Sequence, residues 1–268
     1  MTAGQGAEPR VDSVVDADGG TTFELPPGPD EEQRLLLCLR PKKGQPEKVR
    51  HVLDLLPADE GRRRAVLSPD LFLAEGRWDV YLLRAPDSGR QRLRPGLRDL
   101  RALVEGHLRD RPSPLAVRIP YVTKDGYLTI RTWLRAAHAE VEAVDVTDRA
   151  ATVTARLHGA GLLPGAAVRL RLRGHRETVH TVSLRAGDDG RAFSFALDYE
   201  ELATRAGVWD AFVQPSPDAP PIRIARLLDD VANRKEVFVY PPATVGDAVL
   251  RPYYTVDNDL SVEVAQDG

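Results

Sequence analysis

The sequence predicts an all-β fold: two tandem antiparallel β-sandwich domains related by internal duplication. Three observations predict it. A hairpin-like stretch occurs twice, as Pro120-Tyr121-Val122-Thr123-Lys124-Asp125-Gly126-Tyr127-Leu128 and as Pro252-Tyr253-Tyr254-Thr255-Val256-Asp257-Asn258-Asp259-Leu260. Two further anchors recur in the same order. Val11-Asp12-Ser13-Val14 answers to Val141-Glu142-Ala143-Val144, and Gly76-Arg77-Trp78-Asp79 to Gly207-Val208-Trp209-Asp210, so the offset drifts only from 130 through 131 to 132 residues. Apolar alternation also comes in short runs, with turn signals roughly every 8–12 residues, as in stacked antiparallel sheets.

In chain order, residues 1–10 read as a disordered tail, 11–137 as the first module and 138–268 as the second. Val11–Val15 opens module one, Asp18-Gly19-Gly20 turns it, and Thr21–Leu25 resumes. Pro26-Pro27-Gly28-Pro29 punctuates the chain before the apolar run Arg34–Arg40, and Val49–Leu55, Arg64–Leu67 and Trp78–Leu83 follow as strands. Module two repeats the series with Thr152–Leu157, Val168–Leu172, Thr178–Leu184, Phe193–Leu197 and Trp209–Val213. Asp70 and Asp198 each stand where they would cap one helical turn. Leu97–Leu108 and Ile224–Asn233 suit a short helix or a turn-rich loop. Each recurring hairpin ends on a pair tolerant of positive φ, Asp125-Gly126 or Asp257-Asn258, which suits a two-residue loop. Proline gives no ladder hydrogen bond, so Pro120 and Pro252 place each hairpin at a strand entry or a sheet edge. His138-Ala139-Glu140-Val141 joins the modules without a flexible linker, which predicts a stiff tandem.

At 268 residues the chain is large for one core and suits two domains. Its net charge of −3 gives no field for nucleic acid, and positive charge is carried almost wholly by arginine. One cysteine, Cys38, precludes an internal disulfide and fits a reducing compartment. The opening residues lack a signal-peptide pattern and no apolar run is long enough to span a bilayer, so the expected location is cytoplasmic.

Candidate chemistry rests on three groups of residues. Trp78 and Trp209, each followed by an aspartate (Asp79, Asp210), read first as core tryptophans bridging two sheets, with a sugar-stacking platform as the alternative. Arg169, Arg171 and Arg173 alternate with apolar residues, so three guanidinium groups share one strand face. That face is either a solvated surface with acidic cross-strand neighbours or a strip that grips phosphate or carboxylate. Tyr121, Tyr127, Tyr253 and Tyr254 gather near the hairpin tips, where they suit packing, a protein interface or a sugar. No glycine-rich phosphate loop, nucleophile elbow or metal-ligand spacing is present. His175 and His180, five apart, are the nearest approach to a ligand pair, and Cys38 reads as a buried thiol. No catalytic residue, metal ligand or cofactor is therefore expected.

The Gly-x-Trp-Asp strands followed by a Pro-Tyr-x-Thr-x-Asp-Gly/Asn hairpin resemble actinobacterial β-sandwich modules. Those modules are attached to, or encoded near, glycosyltransferases and CDP-glycerol-type glycerophosphotransferases of wall teichoic acid synthesis. Arg251-Pro252-Tyr253-Tyr254-Thr255 with Asn258-Asp259-Leu260 is similar in kind to the paired immunoglobulin-like C-terminal domains of wall teichoic acid glycosyltransferases, which mediate oligomerisation. The resemblance implies immunoglobulin-like sandwiches serving as a non-catalytic accessory or oligomerisation module. It implies a transferase catalytic protein as partner and, further, a homo-oligomer or an anionic polysaccharide. Two other functions stay open: a binding module for an anionic sugar or polyol-phosphate polymer, and an enzyme of unrecognised type.

Overall fold

Side chains alternate across an extended backbone, so a run such as Val168-Arg169-Leu170-Arg171-Leu172 can bury one row only by lying in a sheet. The computed structural model describes residues 8–27, 33–84, 89–107, 111–175 and 177–266. Residues 1–7 of the expected tail, Gly28-Pro29 and Leu108 lie outside them. The chain is mostly strand, arranged in several sheets with no barrel among the described residues, which is the expected all-β sandwich class. Contacts divide it into two units: Met1–Arg111, Ala116–Leu134 and Leu228–Ala232 form one, and Pro112–Leu115, Arg135–Leu227 and Asn233–Gly268 the other.

The strands of the first unit are β1 (Arg10–Val15), β2 (Thr21–Leu25), β3 (Arg34–Leu39), β4 (Arg50–Asp54), β5 (Leu56–Pro57), β6 (Arg63–Leu67), β7 (Gly76–Leu83), β8 (Gln91–Arg92) and β9 (Arg94–Asp99). A single helical turn, α1 (Arg101–Val104), precedes β10 (Leu115–Val122) and β11 (Leu128–Arg135). One sheet runs β5-β6-β2-β1-β9 and the other β10-β11-β7-β3-β4, with β8 against β7. Phe23, Leu35, Leu37, Leu67, Trp78 and Ile130 are among the apolar side chains buried in one core.

The second unit continues with β12 (His138–Val146), β13 (Ala150–His158), β14 (Ala167–Leu172), β15 (Val179–Val182), β16 (Arg185–Ala186) and β17 (Ala192–Asp198). After α2 (Tyr199–Leu202) come β18 (Gly207–Gln214), β19 (Ile222–Ala225), β20 (Ala243–Val245), β21 (Ala248–Tyr254) and β22 (Leu260–Gln266). The row β16-β17-β13-β12-β19 matches β5-β6-β2-β1-β9 strand for strand, and β21-β22-β18-β14-β15 matches β10-β11-β7-β3-β4. β19 does the work of β8 and β9 together: Ile222 and Arg223 pair with β18, while Ile224 and Ala225 pair with β12. The pairings are antiparallel except for β1 with β9 and β12 with β19, which are parallel.

Both tryptophan strands begin on a glycine that only a residue without Cβ occupies easily. Gly76 has φ +149° and Gly207 φ +132°, and an added Cβ would lie 2.6 Å from Leu39 in one case and 2.7 Å from Leu172 in the other. Each indole then donates to the carbonyl four residues back, Trp78 Nε1 to Ala74 O at 3.0 Å and Trp209 Nε1 to Arg205 O at 3.2 Å.

Several local expectations are corrected. The hairpin loops have three residues, not two: Thr123 N donates to Tyr127 O and Gly126 N to Thr123 O, and Thr255 N to Asp259 O and Asn258 N to Thr255 O. Only the third loop residue takes positive φ, Gly126 at +80° and Asn258 at +61°, as a turn closed by a left-handed residue requires. β10 does end its sheet, but β21 does not, because β20 pairs with it from Ala248 to Leu250. Pro252 lies beyond the reach of β20, so its missing N–H breaks no pairing there. Asp198 caps α2 by accepting from Glu200 N at 2.8 Å, whereas Asp70 caps no helix and lies in a turn where its own N–H donates to Ser68 Oγ.

Candidate functional site

The charged groups of both units converge on the aspartate that follows each tryptophan. Asp79 accepts from Arg40 Nε at 3.1 Å and Nη2 at 2.5 Å, from Arg92 Nη2 at 3.1 Å and from the buried Thr129 hydroxyl at 3.1 Å. Asp210 accepts from Arg173 Nε at 3.2 Å and Nη2 at 2.5 Å, from Arg223 Nη2 at 2.9 Å and from the Ser261 hydroxyl at 2.8 Å. Each carboxylate therefore ties the tryptophan strand to the residue just past β3 or β14, to β8 or β19, and to β11 or β22. Burial pushes the Asp210 carboxyl up, but hydrogen bonds from Arg173 and Ser261 and the Arg223 charge outweigh it and hold the group below the usual range.

Arg169 and Arg171 share one face of β14, and Arg173 lies in the turn just past its end; each makes a different contact. Arg169 donates to Gln214 Oε1 at 2.9 Å and Thr181 Oγ1 at 2.6 Å. Arg171 stacks its guanidinium 5.0 Å from the Phe212 ring centre and has no carboxylate partner among the described residues. Arg173 is the bidentate partner of Asp210.

The tyrosines separate. Tyr127 lies between the guanidinium groups of Arg92 and Arg94, 4.2 and 4.1 Å from its ring centre, and its hydroxyl donates to Glu8 at 2.9 Å. Tyr121 and Tyr253 are half-buried, with Lys235 Nζ 5.6 Å from the Tyr253 ring. Tyr254 is fully buried in the core, where loss of water pushes its hydroxyl pKa far up. Beside it Arg234, also fully buried, lies 4.6 Å from the Phe238 ring centre and donates through Nε to Arg226 O at 3.3 Å.

A cluster that spacing did not reveal lies where β12 meets β13. His138 Nε2 and Glu140 Oε2 are 2.7 Å apart and buried, and Glu140 Oε2 also accepts from Leu227 N at 2.8 Å. His158 stands opposite His138 in the ladder, with ring centres 6.0 Å apart. The signal was available in part: His138 and Glu140 are two apart on a strand, hence on one face. Pairing with His158 depends on a hairpin register that spacing does not state. His180 meets Glu201 at 3.0 Å rather than His175. Among the described residues no three His, Cys, Asp or Glu side chains are grouped to hold a metal ion.

The first unit also carries an open hollow of about 490 Å³ lined by Arg98, Leu100, Arg101, Val104, Glu105 and Asp230. Arg101 is engaged there by Asp99 through two side-chain bonds, and that pairing holds the Asp99 carboxyl at about 2. No helix is long and apolar enough to cross a membrane among the described residues.

No family model matches the chain, and no curated protein matches it. Among solved structures it is similar to S. aureus TarS, with a TM-score of 0.39 and 15% identity over 56% of this chain and 27% of that one. It is similar to the 217–571 portion of S. aureus TarS, with a TM-score of 0.39 and 13% identity over 70% of this chain and 44% of that one. A tetra-tandem repeat in the extending region of a large adhesion protein gives a TM-score of 0.20 and 10% identity over 96% and 63%. The chain spans less than two thirds of each of these chains. At TM-scores this low, the likenesses carry no argument about function.

Proposed function

We propose that the chain is a duplicated immunoglobulin-like scaffold that serves as a non-catalytic accessory and assembly module for a cell-wall polymer transferase of the teichoic-acid type. The observation that carries this reading is the pair of aspartate-centred clusters. The side chains best suited to chemistry on the tryptophan strands, Asp79 with Arg40 and Arg92 and Asp210 with Arg173 and Arg223, are spent on locking strands together. A framework held this way presents strand edges and outward faces as its means of contact. The Trp-Asp strands and Pro-Tyr hairpins are the residues that point to a transferase as partner.

The test is direct mixing of the purified chain with the catalytic protein of a teichoic-acid-type transferase. A stable complex in light scattering is the expected result. Two separate masses at micromolar concentration would refute the reading.

A second reading keeps the anionic polymer as ligand of the β14 face. It is favoured by Arg171, which has an aromatic support and, among the described residues, no carboxylate of its own. Binding of a polyglycerol-phosphate oligomer that weakens with salt and on Arg171→Gln would support it; binding indifferent to both would remove it.

A further inference from the structure

The outer strand of the first unit carries a charge pattern that reads the same from both ends of a two-fold axis. Among the described residues β4 is the last strand of its sheet, with β3 on one side and no strand on the other. Its five residues are Arg50-His51-Val52-Leu53-Asp54, and the first, third and fifth are exposed. Leu39 N donates to Val49 O at 3.0 Å, so odd-numbered residues of β4 direct their backbone groups to β3. The N–H and C=O groups of Arg50, Val52 and Asp54 therefore face away from the sheet, and their side chains share one exposed face.

We propose that β4 pairs antiparallel with β4 of a second copy of this chain, centred on Val52. This deepens the assembly reading above and rests on it for the claim that copies associate. In this register Val52 meets Val52 of the second copy, Arg50 meets Asp54, and Asp54 meets Arg50. Each facing pair exchanges two backbone hydrogen bonds, and each charged pair is opposite in sign. Charges on an edge strand ordinarily block pairing. Here they select one register, because sliding Arg50 onto its own copy, or Asp54 onto its own, puts like charges in contact.

The side chains are available for this. Asp54 makes no ion pair within the described residues. Arg50 contacts Glu47 at 2.9 Å, but its side chain is 59% exposed, and Glu47 keeps Arg90 at 2.8 Å when Arg50 turns away. Val52, at the centre of the proposed register, is half exposed. The opposite end of the sheet offers no such edge, since Val117, Arg118 and Ile119 of β10 are buried. The corresponding strand of the second unit, Val179-His180-Thr181-Val182, lacks the opposed charges, and its His180 is tied to Glu201.

Sedimentation equilibrium from micromolar to sub-millimolar concentration tests this. The wild-type chain should dimerise, and Asp54→Arg should raise the dissociation constant roughly 10-fold or more by setting two like-charged pairs across the axis. The exchange Arg50→Asp with Asp54→Arg should restore it. Hydrogen exchange of the wild-type dimer supplies a readout independent of any variant's folding: the Arg50, Val52 and Asp54 amides should gain protection on dimerisation, while His51 and Leu53 should not change. A monomer throughout overturns the proposal, as does a dimer indifferent to Asp54→Arg with no protection at Val52. The latter leaves assembly intact and rejects only this edge, whereas failure to capture the transferase rejects the accessory role alone.

Discussion

Replacing Asp210 with alanine removes the acceptor on which four strands of the second unit converge, and its cost can be worked from the surroundings. Arg173 is 49% exposed at its side chain, so loss of that pair is worth ~0.5–1 kcal/mol after solvent screening. Arg223 is 12% exposed and retains Asp259 at 3.3 Å, so it loses one charge-assisted bond, about 1.5–3 kcal/mol. The buried Ser261 hydroxyl loses its acceptor for about 1 kcal/mol more. The whole is about 4 kcal/mol, a large fraction of the stability of a unit this size. In urea this moves the midpoint by roughly 2 M at a slope of ~2 kcal/mol/M. Hydrogen exchange of β13, β18 and β22 amides in urea reports this unit alone. The Asp210 carboxyl titrates below its unfolded value, so its stabilisation is present above pH ~4 and lost as pH falls through the folded pKa. The gap between wild type and Asp210→Ala should close in acid. A loss no larger than that of Ser261→Ala, or a gap unchanged at low pH, would refute the reasoning.

Arg118 is buried and donates to the carbonyls of Leu67, Ser68, Pro69 and Leu71, and burial, with Arg111 near, pushes its pKa down to about 10. Arg118→Leu should cost about 2–4 kcal/mol in calorimetry of the first unit, because it takes the guanidinium donor from the Pro69 and Leu71 carbonyls while Ser68 O keeps only Leu71 N; an unchanged transition would show that they need no donor. Cys38 has its pKa raised to about 11 by burial, so at pH 8 roughly one thiol in a thousand is ionised. Labelling by a disulfide reagent should be slow in the native chain and fast in urea, and equal rates would contradict the buried setting. Asp259 has its carboxyl pushed up, chiefly by burial, against the charges of Arg223 and Arg135. A raised folded value favours the native state as pH falls, so Asp259→Asn should cost less at pH 7 than at pH 4 in thermal melts, and the reverse order would count against it.

How much was legible differs between the backbone and the site. Strand positions followed from alternation and turn residues, which act within a few residues. The glycines opening both tryptophan strands, the hairpin prolines and the Asp198 cap belong to the same local grammar. The loop length failed because Asp-Gly and Asp-Asn suit two-residue and three-residue turns alike, and the hydrogen bonds of Thr123 and Thr255 decide between them. Two matching turns also diverge. The 199–202 segment forms α2, whereas the turn at 68–71 makes one internal bond, Leu71 N to Ser68 O, and leaves the Pro69 and Leu71 carbonyls to Arg118, whose counterpart in β21 is Leu250.

The all-β class, the order of strands and the recurrence of the same motifs at a nearly fixed offset are written into short stretches of residues, since they depend on side-chain alternation and backbone preference close along the chain. The role of each charged residue is set instead by the packed fold. Arg173 lies 37 residues from Asp210, Arg40 lies 39 from Asp79, and His158 faces His138 through a ladder register. Such partners are chosen by which strands stack and pair, a choice made by burial of the whole core rather than by any short stretch of residues.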